Sequence, residues 1–105
     1  MTTFKFGKTL TETDVKGLRA AIEGAVNNGE SFVIEVQQPG IGVYWHTDKI
    51  ARELNIKVWD IDLYPGDNLS GYDIPKNTLV VVGRVAKGDD EEYGIVRHIE
   101  VFYNR

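Results

Sequence analysis

The chain has 105 residues, the length of one ordinary domain, and 42% of them are apolar, enough for a single core without covalent staples. It contains no cysteine, which excludes disulfides, thiolate metal sites and a cysteine nucleophile, and its net charge of −4 disfavours direct contact with a phosphate backbone. No apolar run approaches the ~20 residues that span a bilayer, and Met1 is not followed by a charged and then apolar leader, so a soluble, cytoplasmic protein without membrane contact is expected.

In chain order, "TFKF" reads as a short edge strand that joins the C-terminal hairpin. "TETDVKGLRAAIEGAVNNGE" reads as a helix, because Val15, Leu18, Ile22 and Val26 recur at steps of three and four. Glu12 and Asp14 sit at its positive end and "NNG" supplies left-handed stop residues. "SFVIEVQ" alternates Phe32, Ile34 and Val36 against Val33, Glu35 and Gln37, the pattern of a strand buried mainly on one side. A glycine turn, "QQPGIG", leads to a second, shorter helix marked by Ile50, Ala51 and Leu54, which stops at Asn55.

"IKVWDIDLY" is a strand with Ile56, Val58, Asp60 and Asp62 on one face and Lys57, Trp59, Ile61 and Leu63 on the other. A strand, a helix and a strand joined by short turns make a crossover, so this strand runs parallel to the one before the turn. "YPGDNLSGYDIPKN" is the longest irregular segment. "TLVVVGRVA" and "YGIVRHIEVFY" are β-branched and aromatic runs that form an antiparallel hairpin across "KGDDEE". The fold expected is α/β (α+β): one domain over 1–105, a mixed sheet of four or five strands with two helices, a parallel strand-loop-helix-strand core and a C-terminal antiparallel hairpin.

From Thr11 to Pro75 the order "TETDVKGLRAAIEGAVNNGE", "SFVIEV", "PGIG", "DKIARELNIKVWDIDL", "DNLSGYDIP" resembles the N-terminal part of MoxR-like AAA+ ATPases of bacteria and phages, whose loop reads Pro-Gly-Ile-Gly-Lys-Ser. On this resemblance residues 11–75 are a P-loop-ATPase-like remnant and 76–105 an added hairpin. A working loop needs amides that wrap the phosphates, a lysine on the transferring group and a hydroxyl on magnesium. This chain keeps Pro39, Gly40, Ile41 and Gly42, but it has Gln37 for the first glycine, Val43 for the lysine and Tyr44 for the hydroxyl. "TLVVV" runs into Gly83 and Arg84, without the acidic pair that orients the metal. The resemblance therefore implies a loop without hydrolysis, no catalytic residue and no cofactor. Gly40, Ile41 and Gly42 are left as a residual anion-binding turn at a helix N-terminus.

Other chemistry is sparse. Asp60 and Asp62 alternate on one strand face, about 7 Å apart, which suits acid–base work geometrically but reads more simply as a solvated face. His46 and His98 lack cysteine or spaced carboxylate companions, so no metal site is expected. Trp59, Phe32 and Tyr103 are assigned to the core. Tyr44, Trp45, Tyr64 and Tyr72 fall in two loops at one end of the parallel strands, with Asp60, Asp67 and Asp73 around them. They either form a protein-binding patch or pack together to plug the vacated phosphate site, and the two are compatible. Asp89, Asp90, Glu91 and Glu92 add an acidic hairpin tip as a further contact.

These residues point to a non-catalytic protein-binding module. Its expected role is that of a small phage or mobile-element inhibitor of a host defence protein, for example an anti-CRISPR acting on a Cas nuclease through its basic channel. The alternatives are a pseudo-ATPase regulatory subunit and a protein that binds nucleotide or anion without hydrolysis.

Overall fold

The computed structural model describes residues 1–87 and 94–105. Its elements are β1 (Thr2–Phe6), α1 (Glu12–Asn28), β2 (Phe32–Val36), α2 (Val43–Glu53), β3 (Lys57–Leu63), a 3₁₀ turn (Leu69–Gly71), β4 (Thr78–Lys87) and β5 (Gly94–Asn104). The five strands form one sheet in the order β1-β2-β5-β4-β3. The architecture is that of a single α+β domain with a mixed sheet and two helices, as the sequence pattern implies.

Local signals set the helix ends. Thr11 caps α1 by accepting from the Asp14 N–H at 3.1 Å, and the Asp14 carboxylate accepts from the Thr11 N–H at 3.0 Å, a complete capping box. Gly29 closes the helix in the left-handed region, φ 71°, with its N–H donating to the carbonyl of Ala25 and the following Glu30 N–H to that of Gly24. Leu18, Ile22 and Ala25 are fully buried, and Val15 and Val26 flank them at the rim of the core.

Strand direction decides where the connections go. β1 pairs parallel with β2, β3 pairs parallel with β4, and β5 runs antiparallel to both β2 and β4. β2 and β3 thus point the same way, as a crossover demands, yet β5 and β4 lie between them. The steps from β1 to β2 and from β2 to β3 cross the sheet in the same direction. With one crossover hand, α1 and α2 must cover the same face. They do, enclosing Phe6, Ile34, Leu79, Val81, Ile99 and Val101.

The step from β3 back to β4 goes the other way, and its connection, residues 64–77, lies on the opposite face. There Leu69 and Ile74 pack with Trp59 and Ile61 against Leu63, Val80 and Val82. The irregular segment is therefore a structural crossover, anchored where the Asn104 side-chain amide donates to the carbonyls of Ile74 and Pro75. "TFKF" is an edge strand, but it joins β2 and not the hairpin.

Candidate functional site

The glycine turn stands where the sequence places it, between β2 and α2. Gly40 and Gly42 adopt φ of 79° and 98°, a backbone region that side chains with a Cβ rarely occupy. Gly42 ends the turn and caps α2 with no side-chain hydrogen bond, so among the described residues no side chain satisfies the first amides of the helix. Beside the turn is a cavity of about 210 Å³, lined by Pro39, Gly40, Ile41, Tyr44, Val96 and Ile99 among others, with no cationic side chain among the described residues of its wall. Val43, at the position a phosphate loop gives to its lysine, is buried in the core.

Tyr44 and Trp45 are not loop residues: α2 starts at Val43, earlier than its apolar spacing suggests, and both lie in its first turn. Their fates differ. Tyr44 turns inward, packs on the core rim and donates its hydroxyl to Asp62 Oδ1 at 3.2 Å. Burial, then the charge of Asp62, holds its phenol above the usual range. Trp45 turns outward and is 61% exposed, with the Lys49 ammonium 5.3 Å from its ring centroid and His46 edge-on to the ring.

The expected aromatic cluster is split by the sheet. Tyr72 packs edge-on against Trp59, 5.9 Å between centroids, on the face away from the helices. Tyr64, just past β3, is 60% exposed. Among the described residues no aromatic pair joins Tyr44 or Trp45 to Tyr64 or Tyr72. Asp67 closes its own turn, accepting from the Tyr64 N–H at 3.3 Å while its N–H donates back to the Tyr64 carbonyl. Asp73 is exposed. Asp89, Asp90, Glu91 and Glu92 lie outside the described residues.

What the sequence reading missed is a polar seam between α2 and β3. Tyr44, Asp48 and Arg52 recur every four residues along one side of α2, and that side faces Asp62, Asp60 and Val58 of β3. Two shallow clefts follow the seam. One, about 270 Å³, is lined by Asp48, Arg52, Ile56, Val58 and Asp60; the other, about 260 Å³, by Tyr44, Asp60, Ile61 and Asp62. Among the described residues Asp48 Oδ1 is buried without a hydrogen-bond partner. Partial desolvation, then the Asp48 carboxylate alongside it, pushes the Asp60 carboxyl up to about 6. The four-residue spacing on α2 was the available signal, hidden because Asp48 and Arg52 alone look like an ordinary solvent-facing pair.

Among the described residues no group of three or more His, Asp or Glu side chains is arranged to hold a metal ion. His98 lies instead between Glu35 and Glu100 on the helix-free face, and Arg84 pairs with Glu100 there. No described helix is long and apolar enough to cross a membrane. Compared with known proteins, the chain matches no family model, no curated protein and no solved structure. The likeness to AAA+ ATPases rests on the order of sequence segments alone.

Proposed function

We propose that this chain is a non-catalytic protein-binding module that acts by occupying a partner. The observation that carries this reading is the exposure of Trp45, Tyr64 and Tyr72, at 61%, 60% and 45%, which with Met1 are the large apolar side chains left exposed among the described residues. Rigid amphipathic rings left in water beside carboxylates such as Asp67 and Asp73 are the residue types that anchor protein interfaces. The burial of Val43 supports the non-hydrolytic part of the reading, as does a cavity wall beside the glycine turn whose described residues include no cation. The narrower role, a phage or mobile-element inhibitor of a host defence protein such as a Cas nuclease, rests on the sequence resemblance, the small size and the acidic balance.

One observation favours a second reading. The first turn of α2 has no side-chain cap, which leaves amides that an anion or nucleotide could use.

The test pairs two measurements. Capture from a bacterial lysate containing defence nucleases is compared for the native chain and a Trp45→Ala, Tyr64→Ala, Tyr72→Ala variant, while ATP, ADP and phosphate are titrated with and without magnesium by amide NMR. Proteins retained by the native chain and lost by the variant, with no nucleotide response up to millimolar ligand, are the expected result. Identical retention by both proteins overturns the aromatic patch. Saturable shifts centred on Gly40, Gly42 and Tyr44 install the nucleotide reading in its place. A captured ring ATPase would make the chain a regulatory pseudo-subunit.

A further inference from the structure

β3 closes one end of the sheet, and among the described residues no strand lies on its outer side. All of Lys57–Leu63 is in unbroken parallel register with Thr78–Arg84 of β4, so the strand is fully extended and turns alternate backbone groups outward. Among the described residues no loop or turn backbone donates to or accepts from residues 57–63. There is no proline and no bulge in β3 to blunt that edge.

The two faces beside the edge differ sharply. On the helix side Asp60 and Asp62 are exposed, with Asp48 of α2 behind them, and among the described residues none of the three forms an ion pair. On the other side Trp59 and Ile61 form a partly buried apolar shelf extended by Tyr72. β1, at the opposite end of the sheet, offers nothing comparable, since its one charge, Lys5, lies next to Glu35 of β2.

This charge pattern discriminates between occupants. A second copy of β3 pairing antiparallel about its centre sets Asp60 against Asp60, and an in-register parallel copy sets both aspartates against themselves. Like charges directly opposite are destabilising, so the edge resists its own kind. A strand with lysine or arginine at alternate positions meets Asp60 and Asp62 at cross-strand distance. Apolar residues at its intervening positions lie beside Trp59 and Ile61.

We propose that the outer edge of β3 is a docking site for an extended segment of a partner protein in which basic and apolar residues alternate, added to the sheet as a sixth strand. Backbone hydrogen bonds supply the attachment and the Asp60–Asp62 face supplies the selection. The proposal rests on the protein-binding reading and names the chemistry of the bound segment. It also gives a use to the crowded carboxylates. A cation beside Asp60 relieves the repulsion from Asp48 and Asp62 that, with desolvation, raises its carboxyl to about 6. Binding is then stronger at pH 7 than at pH 5, with Arg52 the cation of the chain's own seam and Tyr44 the neutral neighbour.

The test uses the whole chain and a capped seven-residue peptide of alternating valine and lysine, followed by amide shifts and hydrogen exchange. The expected result is saturable binding that slows exchange within residues 57–63. Affinity should fall about tenfold or more in the Asp60→Asn, Asp62→Asn double variant, whose side chains keep their size and lose their charge. A peptide with glutamate in place of lysine should not bind. The proposal is overturned if exchange in 57–63 is unchanged at saturation, if the double variant binds as tightly, or if the glutamate peptide competes. Failures of the two readings separate cleanly. Lysate capture that depends on the aromatics while the lysine peptide leaves β3 unprotected refutes the edge alone. Protection of β3 with no lysate protein retained supports the edge and refutes the broader role tested above.

Discussion

The Tyr44 hydroxyl donates to Asp62 Oδ1 over 3.2 Å, and the two groups meet above Gly83, the residue of β4 paired in register with Asp62. The bond ties the first turn of α2 to the end of β3 across a gap only a glycine leaves open. A Cβ at Gly83 would overlap the Tyr44 hydroxyl and crowd both Asp62 Oδ1 and a Val96 methyl. Gly83→Ala should therefore cost about 1–3 kcal/mol, and Tyr44→Phe alone about 0.5–1.5 kcal/mol. Because removing the hydroxyl removes part of the clash, the double variant should lie well short of the sum. Urea denaturation of the four proteins checks this, and additivity within about 0.5 kcal/mol would rule out the close approach.

The raised Asp60 carboxyl gives a pH dependence of known sign. Between its ordinary value of 3.8 and about 6 the folded chain binds this proton more tightly than the unfolded chain does. The contribution is therefore fully present below about pH 4 and is lost as pH rises through 6. Asp60 is solvent-exposed, so screening keeps the effect small. Asp60→Asn should be the more stable protein at pH 7, with the gap closing towards pH 4. Denaturation midpoints of the two proteins across that range decide it. A constant difference would mean that Asp48 and Asp62 do not crowd Asp60.

The capping box of α1 provides a purely local test. Thr11→Ala removes the acceptor for the Asp14 N–H and should cost about 1 kcal/mol, whereas Thr11→Ser should be close to neutral. Thermal unfolding followed by far-UV circular dichroism reads the difference. Equal midpoints for the native chain and Thr11→Ala would show that the cap contributes nothing.

The two tryptophans should separate spectroscopically. Trp45 is 61% exposed, and Trp59 is half-covered by Tyr72 and the 64–77 segment. Trp45→Phe should remove the red-shifted emission that iodide quenches, leave the better-shielded Trp59 signal, and change stability by less than about 0.5 kcal/mol. A larger loss of stability would mean that the Trp45 ring packs against the fold and is not free for a partner.

Much of the site was hidden in the sequence for a common reason. Periodicity reports which side of an element is buried, and it read Leu18, Ile22, Phe32, Ile34 and the two faces of β3 as they stand. It says nothing of which element lies opposite. Tyr44 and Trp45 are adjacent and chemically alike, and in sequence they group with Tyr64 and Tyr72, yet a helix turns neighbouring residues about 100° apart. One therefore enters the seam with Asp62 and the other enters water, while Tyr72 is carried to the far face by the crossover.

Local residue patterns are enough for the capped helix from Glu12 to Asn28, the glycine turn, the stop at Asn55, the strand character of each apolar run and the hairpin of β4 with β5. All of these are set within a few residues by backbone sterics, hydrogen-bonding side chains and burial pattern. The assembled fold alone places β3 at the edge, with β5 and β4 between it and β2, and crowds Asp48, Asp60 and Asp62 into one seam beside that edge. Those depend on how five strands order themselves under a single crossover hand, a constraint on the whole chain that no local stretch of residues carries.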